Sequence, residues 1–172
     1  MSFNCSIFLE DIDINCNAKN SGGIKRVVLG LQRDLNIDLD AADETLVTNA
    51  LLENSVVFEH NPKDATTSFN ESKNTSNGLG VVTTNILVRL PLLNRKINKL
   101  DYMSRRSDIV CLLYHNNGTV TISGWMDGLT MNYAAVSGTR VGEISYIDVT
   151  LTAESWISSL AVEDENRIDL PA

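Results

Sequence analysis

Histidines and serines are the first candidates for catalysis in this chain of 172 residues. Its two histidines both adjoin predicted turns: His60 precedes Asn61-Pro62, and His115 opens the turn that ends at Gly118. Turn formation explains both histidines better than catalysis or metal binding. No serine stands in the Gly-x-Ser-x-Gly pattern of a nucleophile elbow. We therefore predict no catalytic residue and no cofactor, and a protein that is not an enzyme.

Carboxylates and glycines are the next candidates, for metal sites and phosphate sites respectively. Asp38, Asp40 and Asp43 approach the spacing of a calcium loop, but the glycine is absent and Ala41-Ala42 replaces a ligand position. A solvated acidic loop is the preferred interpretation, so no metal site is predicted. Gly22-Gly23 is not followed by Gly-Lys-Ser/Thr, which excludes a phosphate-binding loop of that type.

A cluster of positive charge lies on and after one predicted helix of this acidic chain. Its members are Arg95, Lys96, Lys99, Arg105 and Arg106. One interpretation is a solvated helix face with its cations near the helix C-terminus. The other is a contact with the acidic arm or tail of a second copy, with Glu10, Asp11 and Asp13 as the candidate residues of the arm. Both interpretations stay open, and the second predicts a subunit interface.

Residues 79–124 supply the predicted scaffold, which is a long strand, a short helix and a hairpin. β-branched residues dominate Leu79–Leu90, and Pro91 suits the first turn of a helix. Apolar residues then recur at helical spacing and predict a helix over Asn94–Arg106. The apolar run Asp108–Tyr114 predicts a buried strand, and the turn His115–Gly118 returns the chain as its partner strand.

The patterns elsewhere predict further elements. Asn36–Asp40 is expected to connect elements, and Asp43–Leu52 fits either a short helix or a strand. Ser72–Gly78 is expected to be a polar loop. Glu143–Thr152 should be the last strand, with a bulge near its middle. Ala153–Val162 is expected to contain one short helical turn.

Length and composition favour a single domain. With 43% hydrophobic residues the chain can build a real core. We place one β-rich domain at residues 21–160, after an N-terminal arm at 1–20 and before an acidic C-terminal tail at 161–172 that is expected to be loose. The net charge of -8 argues against a protein that grips nucleic acid, because phosphate binding needs clustered lysine and arginine.

The cysteines and the apolar runs indicate where the chain is made. Cys111 lies within an apolar strand and is expected to be a core residue, whereas Cys5 and Cys16 are expected to stay reduced. Neither a signal peptide nor a membrane-spanning run is recognisable. These features predict a protein assembled in a cytoplasm, without a membrane partner.

The order of elements over residues 68–152 resembles that of a phage protein family. A polar loop with Ser68–Glu71 leads to a strand ending in Val88–Leu92, and a basic helix and an apolar strand follow. Gly124–Leu129, a Ser-Gly-Thr at Ser137–Thr139 and a final strand at Tyr146–Thr152 complete the series. This order resembles small virion proteins of tailed phages that infect Bacteroides-type hosts, including the crAss-like phages.

The resemblance implies an α+β fold that is mainly β with one short helix, an antiparallel β-sandwich or barrel of the phage tail-tube type. It also implies a homo-oligomeric ring in the neck or tail of the virion, with twelvefold symmetry favoured and sixfold symmetry possible. Such a ring would contact the portal and neighbouring tail rings. DNA would pass through it only as transiting cargo, and an acidic wall would keep that polyanion from sticking.

Two other classes of protein remain as rivals. A capsid-decorating or host-surface-binding β-sandwich should expose an aromatic-rich patch, yet aromatic residues make up only 6% of the chain and are spread along it. A tail-associated hydrolase would need a clustered acid–base or metal set, and none is visible in the sequence.

Overall fold

The computed structural model describes residues 23–41, 47–59, 67–76, 79–91, 97–136 and 146–171. In these ranges the chain forms three β-sheets and one α-helix, α1 (Ile97–Ser104). All strand pairs but one are antiparallel. The prediction of a mainly β protein with antiparallel sheets and one short helix is therefore confirmed for the described residues.

The central sheet has five strands and is buried on both faces. Its order across the sheet is β11 (Leu160–Val162), β8 (Val120–Ser123), β7 (Ile109–His115), β1 (Ile24–Leu31) and β4 (Val56–Glu59). Every residue of β7 before His115 is buried. A strand covered on both sides has no reason to alternate polar and apolar residues, which explains the unbroken apolar run in the sequence.

A four-stranded sheet covers one face of the central sheet. Its order is β5 (Thr67–Ser76), β6 (Leu79–Pro91), β10 (Tyr146–Ser155) and β9 (Thr130–Val136). Ile86 and Val149 from this sheet pack in one cluster with Leu113 of the central sheet, and Leu100 and Met103 of α1 join them. The helix thus adds its apolar face to the core between these two sheets.

A three-stranded sheet covers the opposite face of the central sheet. Its order is β12 (Ile168–Asp169), β3 (Val47–Leu52) and β2 (Leu35–Leu39). Leu52 and Ala50 of β3 pack with Leu112 and Val28 of the central sheet in a second cluster. Asn36–Asp40, which we expected only to connect elements, lies mostly in β2. For Asp43–Leu52 we left helix and strand open, and its described part is the strand β3.

Several expected boundaries differ from the structure. β5 runs on to Ser76, where we expected a polar loop, because it pairs with β6 along its whole length. β10 keeps one register with both neighbours, so the predicted bulge is wrong. The predicted helical turn is wrong too, since β10 continues to Ser155 and β11 follows. The helix predicted over Asn94–Arg106 is present as α1, and residues 92–96 lie outside the described ranges.

The C-terminal segment packs against the domain, in contrast to the loose tail that we expected. A 3-10 turn at Glu165–Arg167 leads into β12, which pairs in parallel with β3. Ile168 and Leu170 contact the second core cluster, and Lys25 of β1 forms a 2.6 Å ion pair with Glu165. Apolar side chains within the acidic segment therefore fix it to the three-stranded sheet.

Candidate functional site

The four-stranded sheet has one face in the core and one polar face, which we call the outer face. On β6, Ile86 is buried and Asn85 is exposed. Asn85 lies opposite Asn70 of β5 and Thr152 of β10, and Thr152 lies opposite Thr130 of β9. Residues directly opposite each other point to the same face. A row of amides and hydroxyls therefore crosses all four strands.

Arg89 is the one basic side chain among the described residues of the outer face. Its Nε and Nη2 donate to the two carboxylate oxygens of Asp148 at 2.7 and 2.9 Å. Its guanidinium carbon also lies 3.9 Å from the ring centre of Tyr146. The bidentate pair lowers the pKa of Asp148 and raises the pKa of Arg89. The charge of Arg89 is thus offset within the face.

Both edges of this sheet lack a second neighbour in the described part of the chain. β5 pairs only with β6, and β9 pairs only with β10. Residues Asn132–Val136 of β9 are all exposed, among them Tyr133 at 38% and Val136 at 40%. Such an edge presents a row of backbone N–H and C=O groups that can pair with another strand. The edges are therefore the surfaces best suited to association with another chain.

The predicted interface cations that the structure describes have partners within the same chain. Arg105 bonds Asp101 at 2.8 Å, one helical turn away. Arg106 donates two hydrogen bonds to Asp108, at 2.7 and 2.6 Å, and its guanidinium lies 5.9 Å from the Tyr102 ring centre. These bonds raise the pKa of Arg106 and lower the pKa of Asp108.

For the other members of the predicted interface the structure gives no side-chain contacts. Lys99 lies within α1. The remaining residues lie outside the described ranges; they are Arg95, Lys96, Glu10, Asp11 and Asp13. The contact between the predicted basic and acidic sets therefore stays a prediction.

Of the residues considered for catalysis and metal binding, the structure describes His115, Cys111, Asp38, which is exposed, and Asp40, which is partly exposed. His115 is half-buried, its Nε2 lies 2.9 Å from Thr121 Oγ1, and burial lowers its pKa. Cys111 is fully buried, and burial raises the pKa of its thiol. His60, Cys5 and Cys16 lie outside the described ranges. Where side chains are described, no three histidine, cysteine, aspartate or glutamate residues are grouped to hold a metal ion.

Sequence reasoning missed a polar network between the sheets that is centred on Glu71. One carboxylate oxygen of Glu71 accepts bonds from Ser159 N–H at 3.0 Å, Ser159 Oγ at 2.6 Å and Thr84 Oγ1 at 3.2 Å. Ser123, which is fully buried, lies 2.7 Å from Ser159 through its hydroxyl. Since the proton of Ser159 goes to Glu71, Ser123 must donate in that pair. These hydrogen bonds link β5 to the segment before β11.

Removing the Glu71 carboxylate is expected to loosen this segment. Glu71→Ala should lower the free energy of unfolding by about 2 kcal/mol, because the amide and hydroxyl of Ser159 and the hydroxyl of Thr84 lose their acceptor in a partly buried site. Glu71→Gln keeps an acceptor oxygen and should cost less. Urea denaturation measures both, with Asn70→Ala on the exposed face as the control, expected within about 0.5 kcal/mol of the unchanged protein. Equal effects of Glu71→Ala and Asn70→Ala would refute the role of the network.

Comparison with known proteins matches this chain to no protein family, no curated protein and no solved structure. Among the described residues, no helix combines the length and apolar character needed to cross a membrane.

Proposed function

We propose that this protein is a non-catalytic structural virion protein that forms a cyclic ring in the neck or tail of a tailed phage. The ring connects the portal to the tail and lines the channel through which DNA leaves. The observation that carries the proposal is the four-stranded sheet, whose two edge strands have no second neighbour among the described residues. The resemblance of residues 68–152 to virion proteins of crAss-like phages supports it, as does a mainly β architecture compatible with the tail-tube type of sandwich or barrel.

The two open edges suit a ring because they are different surfaces. If β5 of one copy pairs with β9 of the next, each copy uses one edge as donor and one as acceptor. A head-to-tail contact of this kind generates a closed ring when the rotation between copies closes. The four-stranded sheets would then join into one continuous wall. We favour twelve copies over six, with the portal and adjacent rings as neighbours.

The composition of the outer face suits the wall of a channel for DNA. It carries amides and hydroxyls, and its one described cation is paired with Asp148. Phosphate-binding surfaces need available lysine and arginine, so this face would offer transiting DNA little to adhere to. The net charge of -8 acts in the same direction.

Electron microscopy of the purified chain at high concentration tests the ring directly. We expect class averages of closed rings with an opening wide enough for duplex DNA, and counting the subunits decides between twelvefold and sixfold symmetry. A chain that is monomeric at millimolar concentration and forms no ring density within the virion would overturn the proposal.

A matched pair of lysine substitutions tests the edge itself. Asn132→Lys places a charge on β9 at the open edge, and Asn49→Lys makes the same change at an exposed position of β3. Because edge lysines block strand pairing, Asn132→Lys should raise the concentration for half-assembly at least tenfold. Asn49→Lys should leave it unchanged. Native mass spectrometry reads both, and equal assembly of the two variants would argue against edge pairing.

A second candidate function is a capsid-decorating or host-surface-binding module. The observation that favours it is a group of exposed apolar side chains on two adjacent loops: Met126 is 50% exposed, Ile157 is 42% exposed and Trp156 is 61% exposed. Exposed apolar groups that stand together often mark interaction sites. Immunogold labelling of intact virions separates the candidates, because a module of this kind must be accessible on the outer surface and a neck ring is enclosed.

A further inference from the structure

The strand order of the four-stranded sheet fixes the direction in which a second copy can pair with it. Each pair of neighbours in the order β5, β6, β10, β9 is antiparallel, so β9 runs opposite to β5. Strands in a closed wall are tilted by roughly 35–45° from its axis and keep a component along it. Because rotation about the ring axis does not reverse that component, β5 of the next copy also runs opposite to β9. The contact is therefore antiparallel for twelve copies and for six.

The outer face restricts the register of this contact. Asn132 of β9 lies on the outer face, because it is two residues from Thr130. The residues of β5 on this face, at steps of two, are Ser68, Asn70, Ser72 and Asn74. A shift by one residue would place core-facing side chains of one strand beside outer-face side chains of the other. Asn132 therefore lies opposite one of these four residues.

One of the four registers aligns side chains that stabilise strand pairing. With Asn132 opposite Asn70, two amides meet on the outer face, and Tyr133 meets Phe69 on the other face. Phe69 is partly buried against the core and Tyr133 is 38% exposed, so the contact covers aromatic surface. Aromatic side chains that lie directly opposite each other stabilise an antiparallel pair. Six described residues of each strand, 67–72 and 130–135, are then paired.

The other three registers align less compatible side chains. Asn132 opposite Ser72 would place Met131 opposite Lys73, and Asn132 opposite Asn74 would place Tyr133 opposite Lys73. Asn132 opposite Ser68 would leave only four described residues of β5 beside β9. The register with Asn132 opposite Asn70 is the one of the four that brings two aromatic side chains together.

We infer that neighbouring copies join by antiparallel pairing of β9 with β5, with Asn132 opposite Asn70 and Tyr133 opposite Phe69. The inference rests on the proposed ring, for which it names the partner of the β9 edge as a second copy of this chain and specifies the contact residues. The outer faces of adjacent copies then continue into each other as rows of amides and hydroxyls.

Disulfide cross-linking between introduced cysteines measures this register. Directly opposite residues of an antiparallel pair have Cα atoms about 4.5–5.5 Å apart, which a disulfide can bridge. A partner displaced by two residues is roughly 7–8 Å away, which is too far. Asn70 and Asn132 of one chain lie on opposite edge strands of a four-stranded sheet, about 14 Å apart. A disulfide between cysteines at these positions must therefore join two copies.

Oxidation of Asn70→Cys with Asn132→Cys, at the concentration at which the chain assembles, should give a ladder of linked chains. The rate should be at least tenfold above that of the displaced pairs, in which Ser68→Cys or Ser72→Cys replaces Asn70→Cys. All variants also carry Cys5→Ser and Cys16→Ser, while Cys111 is buried and stays. Circular dichroism of each variant confirms that the fold is retained.

A second pair of positions tests the direction of pairing. Ser68→Cys with Ala134→Cys should link as fast as the first pair, because antiparallel strands keep these residues opposite each other. Parallel strands with the same Asn70–Asn132 contact would instead link Ser72→Cys with Ala134→Cys. Faster linking of that pair, or of either displaced pair, would overturn the inference.

Electron microscopy of the same samples separates this inference from the ring itself. Rings whose Asn70→Cys, Asn132→Cys chains do not cross-link would overturn the strand contact and leave the ring standing. Absence of both rings and cross-links would overturn both. Linked dimers from Asn132→Cys alone, in equal yield, would also overturn the inference, because that product requires β9 to pair with β9.

Discussion

Replacing Gly128 by alanine is expected to destabilise the protein by roughly 3 kcal/mol or more. Gly128 has a φ of 74°, in the left-handed region that alanine adopts only at a cost. A Cβ atom at this position would lie 2.3 Å from the Ser107 carbonyl oxygen and 2.8 Å from the Asp108 Cα. Both neighbours are backbone atoms, so relief of the clash requires the turn to move away from β7.

Gly118 provides the matched control for this substitution. It also has a positive φ, of 90°, but an added Cβ would meet nothing within 4 Å. Gly118→Ala should therefore show the backbone cost alone, about 1 kcal/mol. Urea denaturation of both variants separates strain from steric clash. Similar midpoints for the two variants would show that the contact between Gly128 and Ser107 is not tight in solution.

Local patterns in the sequence were sufficient to predict the scaffold. The β-branched strand at 79–90, the apolar run before His115 and the Asn117-Gly118 turn each depend on neighbours a few residues apart, and all are present. The helix was predicted for the same reason, since its apolar residues repeat at helical spacing. Their patterns are recognisable locally, although β7 also pairs with the distant strand β1 and β6 with the distant strand β10.

Elements that depend on distant partners were not predicted. β12 has two residues in an acidic segment, and it is a strand only because β3, more than a hundred residues earlier, accepts it. The second half of β5, Ser72–Ser76, was predicted as a polar loop because it lies at a sheet edge, where few side chains need to be apolar. The extension of β10 beyond Thr152 depends likewise on pairing with β6, as at Ser155 opposite Val82. Tertiary pairing overrides local propensity in all three cases.

The candidate functional surfaces likewise divide into contacts between neighbours in sequence, which could be predicted, and contacts between distant residues, which could not. The bonds of Arg105 and Arg106 are made to residues two and four positions away, so they belong to the local charge pattern. Glu71 and Ser159 are separated by 88 residues, and no spacing in the sequence joins them. The polar rows of the outer face could not be predicted from the sequence either, because the register between four strands decides which residues lie side by side.

Among the described residues β9 has no neighbour on its outer edge, and in a free monomer such an edge would promote aggregation. Proteins usually protect exposed edges with lysine, proline or a bulge, since an open edge invites aggregation. Residues Thr130–Val136 contain no charge and no proline, and β9 pairs with β10 without a register shift. An edge left this way is well explained by a partner strand in the assembled state, which is the reason we place the subunit contact here.

Truncation of two consecutive leucines in β7 is expected to give large losses of stability at both positions. Leu112 and Leu113 are each fully buried, Leu112 toward the three-stranded sheet and Leu113 toward the four-stranded sheet. Each Leu→Ala change removes buried methyl groups and leaves a cavity, so each should cost about 2–5 kcal/mol in the free energy of unfolding. In a sheet with one wet face, neighbours in sequence would alternate between a large and a small effect.

Leu87→Ala is the control for both substitutions, because Leu87 is half-buried on the outer face of β6. It should cost no more than about 1 kcal/mol, since less apolar area leaves water at that site. Urea denaturation of the three variants gives the comparison under one set of conditions. Large and similar effects at Leu112 and Leu113 require a core on each side of β7. If either residue instead behaves like Leu87, one of the two outer sheets does not pack on the central sheet in solution.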